Sequence, residues 1–387
     1  MSIAPALPLS ATPPPLVAAE RRRLLSGGLL LLLLLAIPHA LAYAAQGADW
    51  RFGGTFVAAD DVATYLAKMR LGADGAWLYH SPYTCQRGLG APLFLLYLFA
   101  GKLTGGAETT LQLQLIFEGL RWLGGLAMIL GTGEFVALFV PPGRGRVLTT
   151  WAAILGGGLG WLTAVVPSLP PRPLDLISPE SFGFLSLWGL PHLALGRGAM
   201  LLGLTVYVRA WEGPRPSWRA VAICAGLWLG AALLTPVAGG LAVGLAALYW
   251  LARPDLHCGP DGLASGLRLA LASAPVGLYG LLLLLLARLD PRLAAFSQQQ
   301  VPAPGLPAYL LAYGLMWPAA LLGLATALRC GGRRLLPALW GLALPLLVGL
   351  PIGLSRRMAD GAWVALVVLA WLGWTWLRTR RPAALRW

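Results

Sequence analysis

The sequence predicts an all-α, polytopic transmembrane helical bundle of about ten spans, with short helices in its first outer loop. Three observations carry this expectation. Hydrophobic residues make up 58% of the 387 positions and charged residues 11%, where a soluble domain has roughly 45 to 50% apolar content. The apolar residues form continuous runs, such as Gly27 to Ala36, Leu241 to Ala252 and Leu278 to Ala287. They do not alternate as the strands of a membrane barrel would. The 17 Trp often stand near the ends of these runs, where aromatic belts meet the interface.

Charge gives the orientation. A formal net charge of +14 would point to a nucleic-acid partner in a soluble chain. Here most Arg residues lie in short segments between apolar runs, the pattern that sets membrane topology, so the partner expected is the lipid bilayer and no nucleic acid. Four dispersed cysteines, Cys85, Cys224, Cys258 and Cys330, form no CxxC pair and signal neither a disulfide framework nor a zinc site.

Residues 1–23, rich in Pro and Ala and ending in Arg21-Arg22-Arg23, read as a disordered cytoplasmic tail. Residues 24–377 read as the membrane domain. Its first run, to about Ala45, reads as a signal anchor, with a cleaved signal peptide as the alternative because Ala40 to Ala48 is rich in small residues. Residues 46–90 form the first outer loop. The stretch Ala91 to Leu103 is too short to cross and is expected in the interface or as a re-entrant segment. Crossings then follow near 111–140, 147–167, 184–209, 220–235, 236–252, 267–287, 307–328, 335–354 and 361–377, before a basic cytoplasmic tail at 378–387. Basic residues concentrate in the inner segments of this topology and acidic residues in the outer ones, which places both termini in the cytoplasm.

In the outer loop, Asp60 and Asp61 open a short helix reaching Arg70. At helical spacing Asp61, Tyr65 and Lys68 share a face. A carboxylate there can act as general base toward a hydroxyl or help hold a divalent cation such as Mg or Mn, and helix capping is the alternative reading. Glu118 and Arg121 stand three apart within one span that also carries Glu134, either as a neutralised pair or as part of a substrate path. Arg197, with no acidic neighbour in its own span, is a candidate phosphate ligand, with snorkelling as the alternative. Glu180 and His192 are placed to meet the first loop above the bilayer. Arg356 and Arg357 lie outside against the positive-inside trend, where an anionic group or lipid headgroups account for them. The Gly156-Gly-Gly-Leu-Gly160 run lacks the Lys and Ser/Thr of a phosphate loop, and no HExxH or GxSxG appears.

The hydrophobic anchor, the outer loop with an early acidic pair and the many spans with short inner loops resemble the GT-C class of integral-membrane glycosyltransferases. Phe52-Gly-Gly, Asp60 to Arg70, Trp77 to Thr84, Pro179-Glu180, Leu190-Pro-His192 and Leu354-Ser-Arg-Arg357 look like a group of bacterial membrane proteins usually placed with that class. The resemblance implies a bacterial cytoplasmic membrane protein that takes a sugar from a polyprenyl-phosphate donor and passes it to an acceptor on the outer face. It makes Asp60 or Asp61 the catalytic carboxylate. Tyr65, Lys68, Arg70, His80, Tyr83, Glu180, His192, Arg197, Arg356 and Arg357 become substrate-binding candidates. No cofactor is required by the sequence beyond a possible divalent cation. Two other readings stay open: a transporter or lipid flippase with Glu118, Arg121, Glu134 and Arg197 along its path, and a non-catalytic membrane subunit.

Overall fold

The computed structural model describes residues 13–86, 88–105, 109–166, 168–169, 174–213, 215–298 and 300–380. The first twelve residues of the expected N-terminal tail, Arg87, the Pro-rich stretch at 170–173 and the last seven residues of the basic tail lie outside them. The described chain is helical. Its elements are α1 (Ala18–Ala44), α2 (Ala59–Ala73), α3 (Leu95–Lys102), α4 (Thr110–Val136), α5 (Arg144–Leu155), α6 (Leu174–Ile177), α7 (Gly183–Gly189), α8 (Pro191–Trp211), α9 (Trp218–Leu234), α10 (Pro236–Leu251), α11 (Pro254–His257), α12 (Gly262–Leu289), α13 (Pro291–Ser297), α14 (Leu306–Tyr313), α15 (Met316–Cys330), α16 (Leu335–Val348) and α17 (Ala362–Arg380).

Six helical segments are long and apolar enough to cross a membrane: α1, α4, Arg144–Ala164, α8, α12 and Ser355–Thr379; α14 with α15 makes a seventh if that bent pair is one span. The chain is therefore a helical, multi-pass membrane protein. Three further segments expected to cross, α9, α10 and α16, have 17, 16 and 14 residues. At 1.5 Å per residue they fall short of a hydrocarbon core about 30 Å thick. Thr235 and Pro236 break α9 from α10 without a loop, and the chain reverses so sharply that Gly239 packs against Ala232. Pro345 and Gly349 end α16 early.

Local sequence explains the helix boundaries. Thr109 and Gln112 close a reciprocal capping box on α4, Gln112 N donating to Thr109 Oγ1 at 3.2 Å and Thr109 N to Gln112 Oε1 at 2.8 Å. Pro opens α8 and α10 at the first turn, where its missing N–H costs nothing. The first helix starts at Ala18, inside the segment expected to be a disordered tail. Glu20 and Arg21 are bound there: Arg146 Nη1 lies 3.0 Å from Glu20 Oε2, and Arg21 Nη2 lies 2.8 Å from Glu134 Oε1. Leu16 N donates to Glu134 and Arg209 to the Pro13 carbonyl. These residues, all but Glu134 assigned to inner segments from sequence, thus gather at one end of the bundle.

Several helix pairs touch through glycine, among them α15 with α17 at Gly323 and Gly373. A Cβ on Gly131 of α4 would sit 2.6 Å from the Gly198 carbonyl oxygen of α8, and one on Gly124 2.9 Å from that of Pro191. Between α1 and α4, Gly72 of α2 lies against the Leu98 carbonyl and Gly101 of α3 against that of Met69. The segment expected in the interface, Ala91 to Leu103, thus folds with α2 into a helical cap. Val62, Met69 and Tyr97 of the cap pack with Leu113, Phe117, Leu190 and Leu193 of the bundle.

Candidate functional site

The cap, the loop before α8, the 3-10 turn Ser355–Ala359 and the end of α14 meet at the end of the bundle opposite the Glu20–Arg146 pair. Helix α2 begins after Ala58, which takes the left-handed conformation (φ 51°) and makes no side-chain cap bond. Asp60 and Asp61 therefore lie inside the first turn, favourable to the helix dipole but not capping it. Both are exposed, and among the described residues neither carboxylate accepts a hydrogen bond.

Two turns on, Lys68 is only 5% exposed. Its Nζ donates to Thr64 Oγ1 at 3.0 Å and lies 4.1 Å from the Phe94 ring centroid and 4.7 Å from that of Tyr65. Burial lowers the Lys68 ammonium from its ordinary range to about 8, with the Asp61 charge opposing the shift. Tyr65 stacks on Tyr97 at 4.5 Å between ring centroids. The two phenols clasp His192: Tyr65 Oη lies 3.4 Å from Nε2 and Tyr97 Oη 2.7 Å from Nδ1. A neutral imidazole has one donor and one acceptor nitrogen, so one tyrosine gives a proton to this chain of bonds and the other accepts one. Burial raises the Tyr65 phenol above its ordinary range; Asp61 and Glu180 add to the rise and Arg357 opposes it. Tyr65 is thus the group on which the carboxylate of the first loop and the arginine of the distant turn both act. Of the two residues expected to meet that loop, His192 touches it directly, whereas Glu180 acts on it only through the charge it sets on Tyr65.

Glu180 is 6% exposed. It accepts a hydrogen bond from Ser178 Oγ at 3.2 Å, and its Oε1 lies 3.8 Å from Arg356 Nη2 and 3.5 Å from Arg357 Nε. One carboxylate thus faces two guanidinium groups and leaves an excess positive charge.

Arg197 has a different setting from the one the sequence suggested. It is 1% exposed and its fork is filled from within. Nε and Nη2 donate to Asp360 Oδ1 at 2.9 and 2.8 Å, and Nη2 also donates to the carbonyls of Pro179, at 2.9 Å, and Glu180. The residue anchors the loop that presents Glu180, and Asp360, 163 positions away, supplies the acid missing from its own span. The groups proposed for a transport path are also paired: Arg121 Nε donates to Glu118 Oε2 at 3.0 Å, His39 Nε2 stands 4.0 Å from Glu118 Oε1, and Glu134 holds Arg21.

Arg70, His80 and Tyr83 are exposed residues of the cap. Sequence reading missed Tyr97, Asp360 and Tyr309. Tyr309 is 3% exposed, within electrostatic reach of Arg356 and Glu180, and its hydroxyl has no hydrogen-bond partner among the described residues. It reaches these groups because α14 and α15 meet at 90°. The bend falls on Gly314, whose φ of 49° and ψ of −132° exclude a side chain at little cost to glycine alone. A tyrosine pair four residues apart, Tyr309 and Tyr313, in an apolar run was the available sign.

Among the described residues no three His, Cys, Asp or Glu side chains converge as a metal shell would require. Asp60 and Asp61 offer two carboxylates, an incomplete donor set for a resident cation. Comparisons with protein-family models, with curated proteins and with solved structures give no match to this chain.

Proposed function

We propose that this chain is a membrane glycosyltransferase that moves a sugar from a polyprenyl-phosphate donor to an acceptor on the outer face of the bacterial cytoplasmic membrane. In this reading α9, α10 and α16, although shorter than the average hydrocarbon core, cross where the bilayer thins around them and complete a ten-span, GT-C-like topology with both termini cytoplasmic. The observation that carries it is the placement of an unpaired, exposed carboxylate, Asp61, across Tyr65 from the positively charged Arg356–Arg357 turn. That arrangement separates a proton acceptor from a site for a departing anion.

The acceptor hydroxyl gives its proton to Asp61 as its oxygen bonds to the anomeric carbon of the donor. The bond from that carbon to the phosphate oxygen breaks, and its electron pair leaves with the phosphate. Arg356 and Arg357 balance the charge that develops there, which lowers the barrier when the positive groups are already in place. A single displacement inverts the anomeric centre. Asp60, exposed and without a contact to Tyr65 or Lys68, takes the second place to Asp61.

The test is sugar transfer from a radiolabelled polyprenyl-phosphate sugar to envelope extracts by the purified protein in nanodiscs. Asp61→Asn abolishes transfer while the melting temperature and donor binding stay at parental values. Transfer retained in Asp61→Asn removes the carboxylate from the mechanism.

A further inference from the structure

The side chains gathered around Glu180 present more buried hydrogen-bond donors than acceptors. The Tyr309 hydroxyl and the Nε groups of Arg356 and Arg357 are all buried without a hydrogen-bond partner among the described residues. Glu180 approaches the two arginines as an ion-pair partner at 3.5 and 3.8 Å, beyond good hydrogen-bond geometry. Buried donors are nearly always satisfied in folded proteins, so three such groups in one cluster call for an acceptor from outside the chain. Its charge follows from the count of ionic groups: two guanidinium groups against one carboxylate leave room for an anion. Its shape follows from the donors, which come from the 3-10 turn on one side and the end of α14 on the other. A planar carboxylate presents two oxygens in one plane, whereas a phosphate presents oxygens in several directions.

We propose that Tyr309 is a binding residue for a phosphate group, its hydroxyl donating to one oxygen while Arg356 and Arg357 hold others. The inference rests on the proposed function for the identity of the phosphate as that of the lipid-linked donor, and names a residue that function did not include. It also replaces Arg197, whose fork is filled, as the third member of the anion site. The bend at Gly314 gains a purpose: a straight helix from 306 to 330 would carry Tyr309 along the span rather than toward Glu180.

Tyr309→Phe is the informative variant because its two effects have opposite signs. Removing an unpartnered buried hydroxyl raises the melting temperature of the ligand-free protein, whereas a tyrosine with a structural bond would lower it. The same change weakens phosphate binding roughly tenfold or more, as expected for a hydrogen bond to a charged group. Binding is measured by calorimetry on the full chain in nonionic detergent with two probes, dodecyl phosphate and sodium phosphate. Loss of affinity for both probes assigns the contact to the phosphate group itself; loss for dodecyl phosphate alone assigns it to a lipid-borne phosphate. Unchanged affinity in Tyr309→Phe, with affinity lost in Arg357→Ala, overturns the role of Tyr309 and leaves the proposed function standing. A parent protein that binds neither probe overturns the phosphate site and the role of Tyr309 together. A fall in ligand-free melting temperature marks Tyr309 as structural and also overturns the proposal.

Discussion

Arg197→Leu separates two roles that one residue cannot fill together. Arg197 and Asp360 are 1% and 2% exposed, and the arginine makes two bonds to Asp360 Oδ1 and two to backbone carbonyls. Removing it leaves a buried carboxylate without a counter-charge and two carbonyls without donors. Breaking a buried pair from one side costs about 3–5 kcal/mol, a large part of a total stability of about 5–15 kcal/mol. The expected result is a steep loss of stability, read by tryptophan fluorescence during SDS-induced unfolding in mixed micelles. Asp360→Leu alone falls by a similar amount. The double variant Arg197→Leu/Asp360→Leu recovers the part of the loss due to the unpaired charge, because an apolar pair needs no counter-ion, and keeps the part due to the carbonyls of Pro179 and Glu180. The reasoning is refuted if Arg197→Leu stays within about 1 kcal/mol of the parent, well below the 3–5 kcal/mol cost of breaking a buried pair, while losing dodecyl phosphate binding. That outcome would return Arg197 to the role of phosphate ligand.

Three further outcomes are expected. In transfer assays Asp60→Asn retains measurable activity whereas Asp61→Asn does not, since only Asp61 acts on Tyr65 and Lys68; equal loss in both variants would mean the pair works as a unit. Lys68, lowered from 10.5 to about 8, is neutral in the folded protein at pH values where the unfolded chain still holds the proton. Stability therefore rises with pH between about 8 and 10.5, by about 3 kcal/mol at most. Lys68→Met removes that slope, and a 13C-methylated Lys68 resonance titrating near 10 would contradict its burial. Gly314→Ala forces a side chain into a backbone region held by glycine and lowers stability by about 1–3 kcal/mol, measured by thermal unfolding; a parental melting temperature would show that the bend is not held at Gly314.

The membrane class was legible because it depends on composition and run length, which tertiary contacts do not alter. Glu20, Arg21, Arg146 and Arg209, which the sequence assigns to one side of the membrane, do gather at one end of the bundle. Helix continuity was less so. A hydropathy window treats 307–328 as one apolar run, but a glycine at a single position turns it through a right angle. Asp61, Tyr65 and Lys68 were found on one face because helical spacing is local. The environment of Arg197 was not, since its counter-charge lies 163 residues away and no local pattern links the two. Tyr309 was hidden by its chemistry: in an apolar run a tyrosine reads as core or belt until its hydroxyl is seen to lack a partner.

The glycine contacts described above also determine which parts of the protein can yield. Gly131 against Gly198 and Gly124 against Pro191 leave no side-chain layer between α4 and α8 to slip or re-pack, so the two move as a single beam. Gly72 and Gly101 weld α2 to α3 in the same way. His192 rides on the beam and Asp61, Tyr65 and Lys68 ride on the weld. The contacts joining these stiff pieces are side chains: the Tyr65–His192–Tyr97 clasp and the apolar cluster beneath it. Compliance is therefore concentrated at that seam, and any bulky group that enters there parts the two pieces rather than bending either one.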